Sequence, residues 1–139
     1  MIKEKSCGAV VFYIDSEKIL YLIEHMNGGH YSLPKGHVEK DETEKETALR
    51  EIKEETSLDV DIDTSFRETI TYSPYSGCQK DVIFFVARAK NLEFKKQDEE
   101  VKALYWLEEQ EAINILSHDS DKNVLIKAIN YIKKERTIL

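Results

Sequence analysis

The chain has 139 residues, 41% of them hydrophobic and 34% charged, which excludes a disordered polypeptide and fits one globular domain over residues 1–139. Its net charge of −7 excludes non-specific nucleic-acid binding through a basic surface, yet leaves room for a polyphosphate, because divalent cations bridge carboxylates to phosphates. Two cysteines without metal-type spacing, no membrane-length apolar run and no small-residue cleavage site behind the N-terminus together imply a cytosolic protein with reduced, buried thiols.

In chain order, "CGAVVFYI" (Cys7–Ile14) and "ILYLIEH" (Ile19–His25) are β-branched and aromatic runs separated by "DSEK", the pattern of a hairpin. "NGGHYSLPKGH" follows, with glycines and a proline that mark a loop. A helix is expected over Thr43–Thr56, with Thr43 and Glu46 in capping-box spacing. "LDVDI", "FRETITY" and Asp81–Ala89 read as separate strands, with "SPYSG" turning between the last two, and "VKALYWL" as a further strand. "EEQEAINIL" and "DKNVLIKAINYIKK" have helical periodicity, the latter placing Val124, Leu125, Ala128, Ile129 and Ile132 on one side. Strands, a central helix, more strands and terminal helices imply an α/β sandwich with a mixed sheet.

The central helix is crowded with acid. Glu51, Glu54 and Glu55 fall within an arc of roughly 100°, and Glu44 lies two turns earlier on nearly the same line. Ala48, Leu49 and Ile52 form a neighbouring apolar stripe, while Glu46 and Lys53 point to solvent. Like charges three and four residues apart weaken a helix, and carboxylates near its C-terminal end oppose its dipole. Two readings follow. Lys45, Arg50 and Lys53 could make this a solvated surface, or the acids could form an oxygen-rich site for a hard divalent cation.

The flanks add a pattern. Gly36, Glu42, Arg50, Glu51, Ile52, Glu54, Glu55 and Leu58 closely resemble the Nudix box: Gly, five residues, Glu, seven residues, then Arg-Glu-apolar-any-Glu-Glu-any-Gly-apolar. Ser57 stands where that pattern has glycine, and serine in the left-handed conformation implied there costs on the order of 1 kcal/mol. "KSCGAVVF", "LPKGHVE", "TALRE" and "YWL" extend the likeness to the asymmetric bis(5'-nucleosyl)-tetraphosphatase branch of the Nudix hydrolases. The resemblance implies an α/β/α sandwich with a loop–helix–loop catalytic motif, and cleavage of diadenosine tetraphosphate to ATP and AMP.

It also implies roles. Glu51, Glu54 and Glu55, joined by the Gly36 carbonyl, would ligate Mg²⁺, with Mn²⁺ as an alternative, and Glu54 and Glu55 would take part in catalysis. Arg50 and Glu42 would form a structural pair. "KKQDEEVKALYWL" offers Asp98, Glu99 and Glu100 as a base, and alignment on Trp106 favours Glu100. Lys35, Lys80 and His37 would meet the phosphates. Tyr72, with His30 and Tyr31 behind it, would stack on a nucleobase, whereas Trp106 belongs to the core.

Two rivals remain. The same metal chemistry could serve a nucleoside triphosphate, a sugar nucleotide or an RNA 5' end. A silent nucleotide-binding module would be expected to lose the box acids, and all three are present.

Overall fold

A computed structural model describes residues 1–96 and 99–138, without the side chains of the last two. The expected hairpin forms from β1 (Ile2–Asp15) and β2 (Lys18–Met26), with Phe12 opposite Tyr21 and Asp15 opposite Lys18. β1 is the centre of the sheet. One edge pairs in parallel with β6 (Cys78–Ala89), from Ile2 opposite Cys78 to Phe12 opposite Arg88. The other edge is shared between β2 and the short β4 (Lys35–His37). β3 (Tyr31–Ser32) and β7 (Val101–Leu107) join β2, and β5 (Val60–Tyr72) closes the far side antiparallel to β6.

Alternation along the strands sorts the core into two layers. Val10, Phe12, Val82, Phe84 and Val86 pack with Leu125, Ala128, Ile129 and Ile132 of α3 (Asp119–Ile138), and with Ala112 of α2 (Glu109–Ile115). Cys7, Ala9, Val11, Ile83, Phe85 and Ala87 pack on the opposite face with Ala48 and Ile52 of α1 (Glu44–Thr56). β1 and β6 are therefore covered on both sides, as their nearly continuous apolar runs require. The result is the mixed-sheet α/β/α sandwich expected from the sequence. No helix among the described residues is long and apolar enough to cross a membrane.

Three expectations change. "NGGHYSLPKGH" carries two short strands rather than only loop, because the open edges of β2 and β1 supply partners to Tyr31–Ser32 and Lys35–His37. The end of "LDVDI", from Val60, and "FRETITY" are one strand, whose register against β6 shifts between Asp63 and Glu68. Leu49 is at the surface, 36% exposed, while Thr47 is fully buried in its place beside Ala48. Both cysteines are buried and free, and burial, aided by Glu44, pushes the Cys7 thiol up to about 11.

The contact between β1 and β4 is unusually close. A Cβ on Gly8 would lie 1.9 Å from the Pro34 carbonyl oxygen and 2.7 Å from Lys35 Cα, both backbone atoms that cannot swing aside. Gly8→Ala is expected to lower unfolding stability by about 3 kcal/mol, read as an earlier urea midpoint. An unchanged midpoint would contradict this approach of the two strands.

Candidate active site

The site begins with the way α1 is closed at both ends. Thr43 caps it: the Glu46 N–H donates to Thr43 Oγ1 at 3.1 Å and the Thr43 N–H donates to Glu46 Oε1 at 2.9 Å. At the other end Ser57 adopts φ 64°, ψ 4°, the left-handed cap that usually calls for glycine. Its N–H donates to the Lys53 carbonyl at 2.9 Å, and its hydroxyl donates to the Lys95 carbonyl at 3.0 Å. The Lys95 N–H donates in turn to the Thr56 carbonyl at 2.8 Å. Serine thus ties the helix end to the segment after β6, which glycine could not do through a side chain.

Arg50 organises the acids. Its Nε and Nη2 donate to the two Glu42 oxygens at 2.6 and 3.0 Å, the structural pair expected from the motif. Nη2 also donates to the His37 carbonyl at 2.9 Å, and Nη1 reaches Glu51 Oε1 at 2.8 Å and Glu54 Oε2 at 3.2 Å. Glu44 is on the same line of the helix but is committed elsewhere. It accepts both Arg67 Nε and Nη2, at 2.9 and 2.8 Å, and pairs with Lys5 at 2.6 Å.

These bonds have a consequence for acid stability. The Arg50 guanidinium, helped by the Glu39 N–H, holds the Glu42 carboxyl at about 2 against its ordinary 4.5. A carboxylate depressed on folding stabilises the protein above its unfolded pKa, and that contribution disappears as pH falls through the folded one. Parent and Glu42→Gln should therefore differ in Tm at neutral pH, and the gap should shrink from about pH 4.5 and close near pH 2. A gap independent of pH would contradict the pairing.

The acids divide by exposure. Glu55 is 3% exposed, Glu51 is half-buried, and the Glu54 side chain is 53% exposed. Gly36 lies directly against Glu51: a Cβ there would sit 2.0 Å from the Glu51 carboxyl carbon and 2.2 and 2.3 Å from its oxygens. Glu51 beside the Gly36 backbone, with Glu54 and Glu55 on the same helix, offers oxygen-only donors, the chemistry a hard divalent cation requires. Among the described residues no three acidic, histidine or cysteine side chains are already drawn into a coordination cluster. Arg50 supplies positive charge to Glu51 and Glu54 here.

On the other side of β4 is a cavity of about 320 Å³. Lys35 and His30 line it with Tyr72, three of the residues expected to meet substrate, and Ile70 and Val82 form apolar walls. His118, just before α3, and Ser120 and Asp121, in its first turn, complete it with Ser32. Sequence reasoning missed these four. Lys80 lies opposite both Tyr72 and Glu4 in the sheet, and burial, then the charge of Lys35, lowers its pKa. His30 is lowered by burial and then by Lys35 and His118, while Asp121 is raised by burial against the pull of Lys35, His118 and His30.

The remaining expected residues lie around this pair of features. His37 is exposed and does not line the cavity; its carbonyl is what Arg50 holds. Glu99 and Glu100 line a neighbouring hollow of about 330 Å³ with Asn27 and Gly28, and His30 borders both spaces. The Asn27 N–H donates to the Glu100 carbonyl at 2.8 Å, and its amide donates to that of Glu99. Asp98 lies outside the described residues. Trp106 is half-buried against the α1-side core, with Nε1–H donating to the Leu92 carbonyl at 2.9 Å. Tyr31 stacks on His25, ring centres 4.1 Å apart, instead of lining the cavity. A larger hollow, about 620 Å³, lies among Lys18, Glu108, Glu109 and Lys133 and contains none of these residues.

The chain matches the NUDIX domain family over residues 5–129. It is 31% identical to the bis(5'-nucleosyl)-tetraphosphatase [asymmetrical] of Sus scrofa over 133 residues, 87% of this chain and 90% of that protein. The Caenorhabditis elegans Ap4A hydrolase, in a binary complex, superposes with a TM-score of 0.86 at 27% identity, covering 94% of this chain and 98% of that one. The NUDIX domain of Shewanella oneidensis NrtR, complexed with ADP ribose, shares the fold at a TM-score of 0.78 and 15% identity, over 95% of this chain and 90% of that one. Nudix hydrolases generally use divalent metal ions. An acid-edged helix with its Arg50–Glu42 brace, the sandwich that holds it and these relatives agree: the chain belongs to the Nudix family and is a hydrolase homologous to Ap4A hydrolases.

Proposed function

We propose that the protein hydrolyses dinucleoside polyphosphates, cleaving diadenosine tetraphosphate to ATP and AMP. The observation that carries this reading is the junction at β4, where consecutive residues face different features: Lys35 lines the cavity and Gly36 lies against Glu51. A nucleoside seated in the cavity would lead its phosphate chain past Lys35 and Lys80 towards the carboxylates of α1. The tetraphosphatase relatives support the same substrate class.

In this reading Glu51, Glu54 and Glu55, with the Gly36 carbonyl, hold a divalent cation, Mg²⁺ with Mn²⁺ as the alternative. Such a cation, when bound, neutralises phosphate oxygens and acidifies water. Glu100 accepts the proton of the attacking water at its carboxylate. Lys35, Lys80 and His37 orient the phosphates, a positioning role that matters because phosphoryl transfer depends mainly on alignment and charge stabilisation. Tyr72 stacks on the base and His30 borders it, in a cavity with Ile70 and Val82 as apolar walls.

The test is a panel of initial rates with Mg²⁺ on diadenosine tetraphosphate, ATP, a nucleoside diphosphate sugar and a 5'-triphosphorylated RNA. The highest kcat/KM is expected for the dinucleotide; a preference for any of the others would replace the substrate. Lys80→Ala extends the test to chain length. Its kcat/KM should fall about tenfold for diadenosine tetraphosphate, of the order expected for one lost charge-assisted contact, and less for ATP. Equal losses would remove Lys80 from chain-length recognition.

A further inference from the structure

Among the described residues Asp121 is the one acid lining the cavity, and it is out of place there for a polyanionic substrate. It is 7% exposed, and among the described residues it accepts no hydrogen bond and joins no ion pair. The helix dipole favours an acid in the first turn of α3 but does not require a buried one. Asp119, in the same first turn of α3, already puts negative charge at that end and is exposed to solvent. Asp121 instead occupies the buried face, one turn before Val124 and Leu125. Lys35, His30 and His118 line the same cavity and favour its charged form but give it no hydrogen bond; a ligand that displaced its water without donating to it would leave the carboxylate without one. The cavity therefore favours a ligand that brings hydrogen-bond donors to this point.

Nucleobase edges differ in what they can bring. Adenine offers its 6-amino group beside the N1 lone pair, which faces a carboxylate unfavourably. Guanine offers N1–H and the 2-amino group side by side, matched to both carboxylate oxygens. Tyr72 supplies an aromatic face, and Ile70 and Val82 supply apolar walls, neither of which selects one purine. His30 and His118, ring centres 6.2 Å apart, can donate to the acceptors of the guanine edge. Resting on the reading of this cavity as the nucleoside pocket, we propose that Asp121 selects the base by accepting the N1–H and 2-amino hydrogens of guanine. Adenine is still admitted by stacking, but guanine dinucleotides are the better substrates.

The test compares kcat/KM on diguanosine, diadenosine and diinosine tetraphosphates, and calorimetric affinities for GMP, AMP and their 2'-deoxy forms, in the parent and in Asp121→Asn. The parent should prefer guanine over adenine roughly 10- to 100-fold in both measurements, the range for a bidentate base contact, with inosine between them because it lacks only the 2-amino group. Asp121→Asn, which keeps one acceptor and adds a donor, should bring the guanine-to-adenine ratio close to one. The inosine comparison needs no variant, so a folding defect in Asp121→Asn does not remove the test. A parent that favours adenine or treats the bases alike overturns the proposal. So does a loss equal for GMP and AMP and absent for the 2'-deoxy forms, which would give Asp121 to the ribose. If GMP binds preferentially but no dinucleotide is cleaved, the base assignment stands and the reaction assignment falls.

Discussion

Glu54→Gln is expected to lower turnover about 100-fold or more, the scale for a group acting in the chemical step, with Tm unchanged. The two halves of that expectation have different origins. The Glu54 side chain is 53% exposed, and among the described residues its partner is Arg50, an i,i+4 contact at 3.2 Å, an interaction of about 0.3–0.5 kcal/mol. Glutamine keeps the shape and the helix propensity. What it removes is a charged oxygen donor, which a hard cation needs and the fold does not. Glu55 cannot give so clean a result, because at 3% exposure its replacement disturbs a buried environment. Steady-state rates across a Mg²⁺ titration, with thermal melts of the same samples, check the prediction. Near-normal rates at saturating Mg²⁺ would remove Glu54 from metal binding and catalysis.

Gly36→Ala is expected to be nearly as damaging by another route. The added methyl would fall 2.0 Å from the Glu51 carboxyl carbon. That group is the end of a flexible side chain, so it can rotate away at little cost to the fold. Moving it takes Glu51 from its place beside the backbone and from Arg50 Nη1, 2.8 Å away. Turnover should fall about 100-fold, since misplacement by an ångström can have an effect of this size, while the melting temperature moves by a few degrees. The contrast with Gly8→Ala, where the obstacle is backbone, separates a glycine kept for the site from one kept for the sheet. Activity retained in Gly36→Ala would contradict the close packing of the two.

Most of α1 could be read in advance because its signals are local. The capping box, the acid arc and the Arg50–Glu42 spacing all lie within one segment, and the capping box and the Arg50–Glu42 pair have their expected partners. Ser57 does take the left-handed conformation implied by its position, and the hydroxyl contact with Lys95 goes with it. The elements that escaped reading are defined by distant neighbours. β3 and β4 exist because β2 and β1 have open edges, not because "YS" or "KGH" favours a strand. The single strand β5 depends on a register shift that leaves no composition signal. Leu49 fits an apolar stripe on paper, yet the sheet covers only Ala48 and Ile52 beside it.

The cavity was half legible for the same reason. Lys35 and His30 fall in a motif-like stretch, and Tyr72 ends a visible strand. His118, just before α3, and Asp121, in its first turn, meet those residues only in the folded chain. One local signal did exist. Asp121 is in register with Val124, Leu125 and Ala128, and an acid on an otherwise apolar helix face calls for a reason.

The most direct test of the central claim is product analysis. Purified protein is incubated with diadenosine tetraphosphate with and without Mg²⁺, nucleotides are separated by chromatography, and Glu54→Gln is run in parallel. The account predicts ATP and AMP in equal amounts, dependent on the cation and nearly absent in the variant. Two equivalents of ADP, or equal rates in the variant and without added cation, would contradict it.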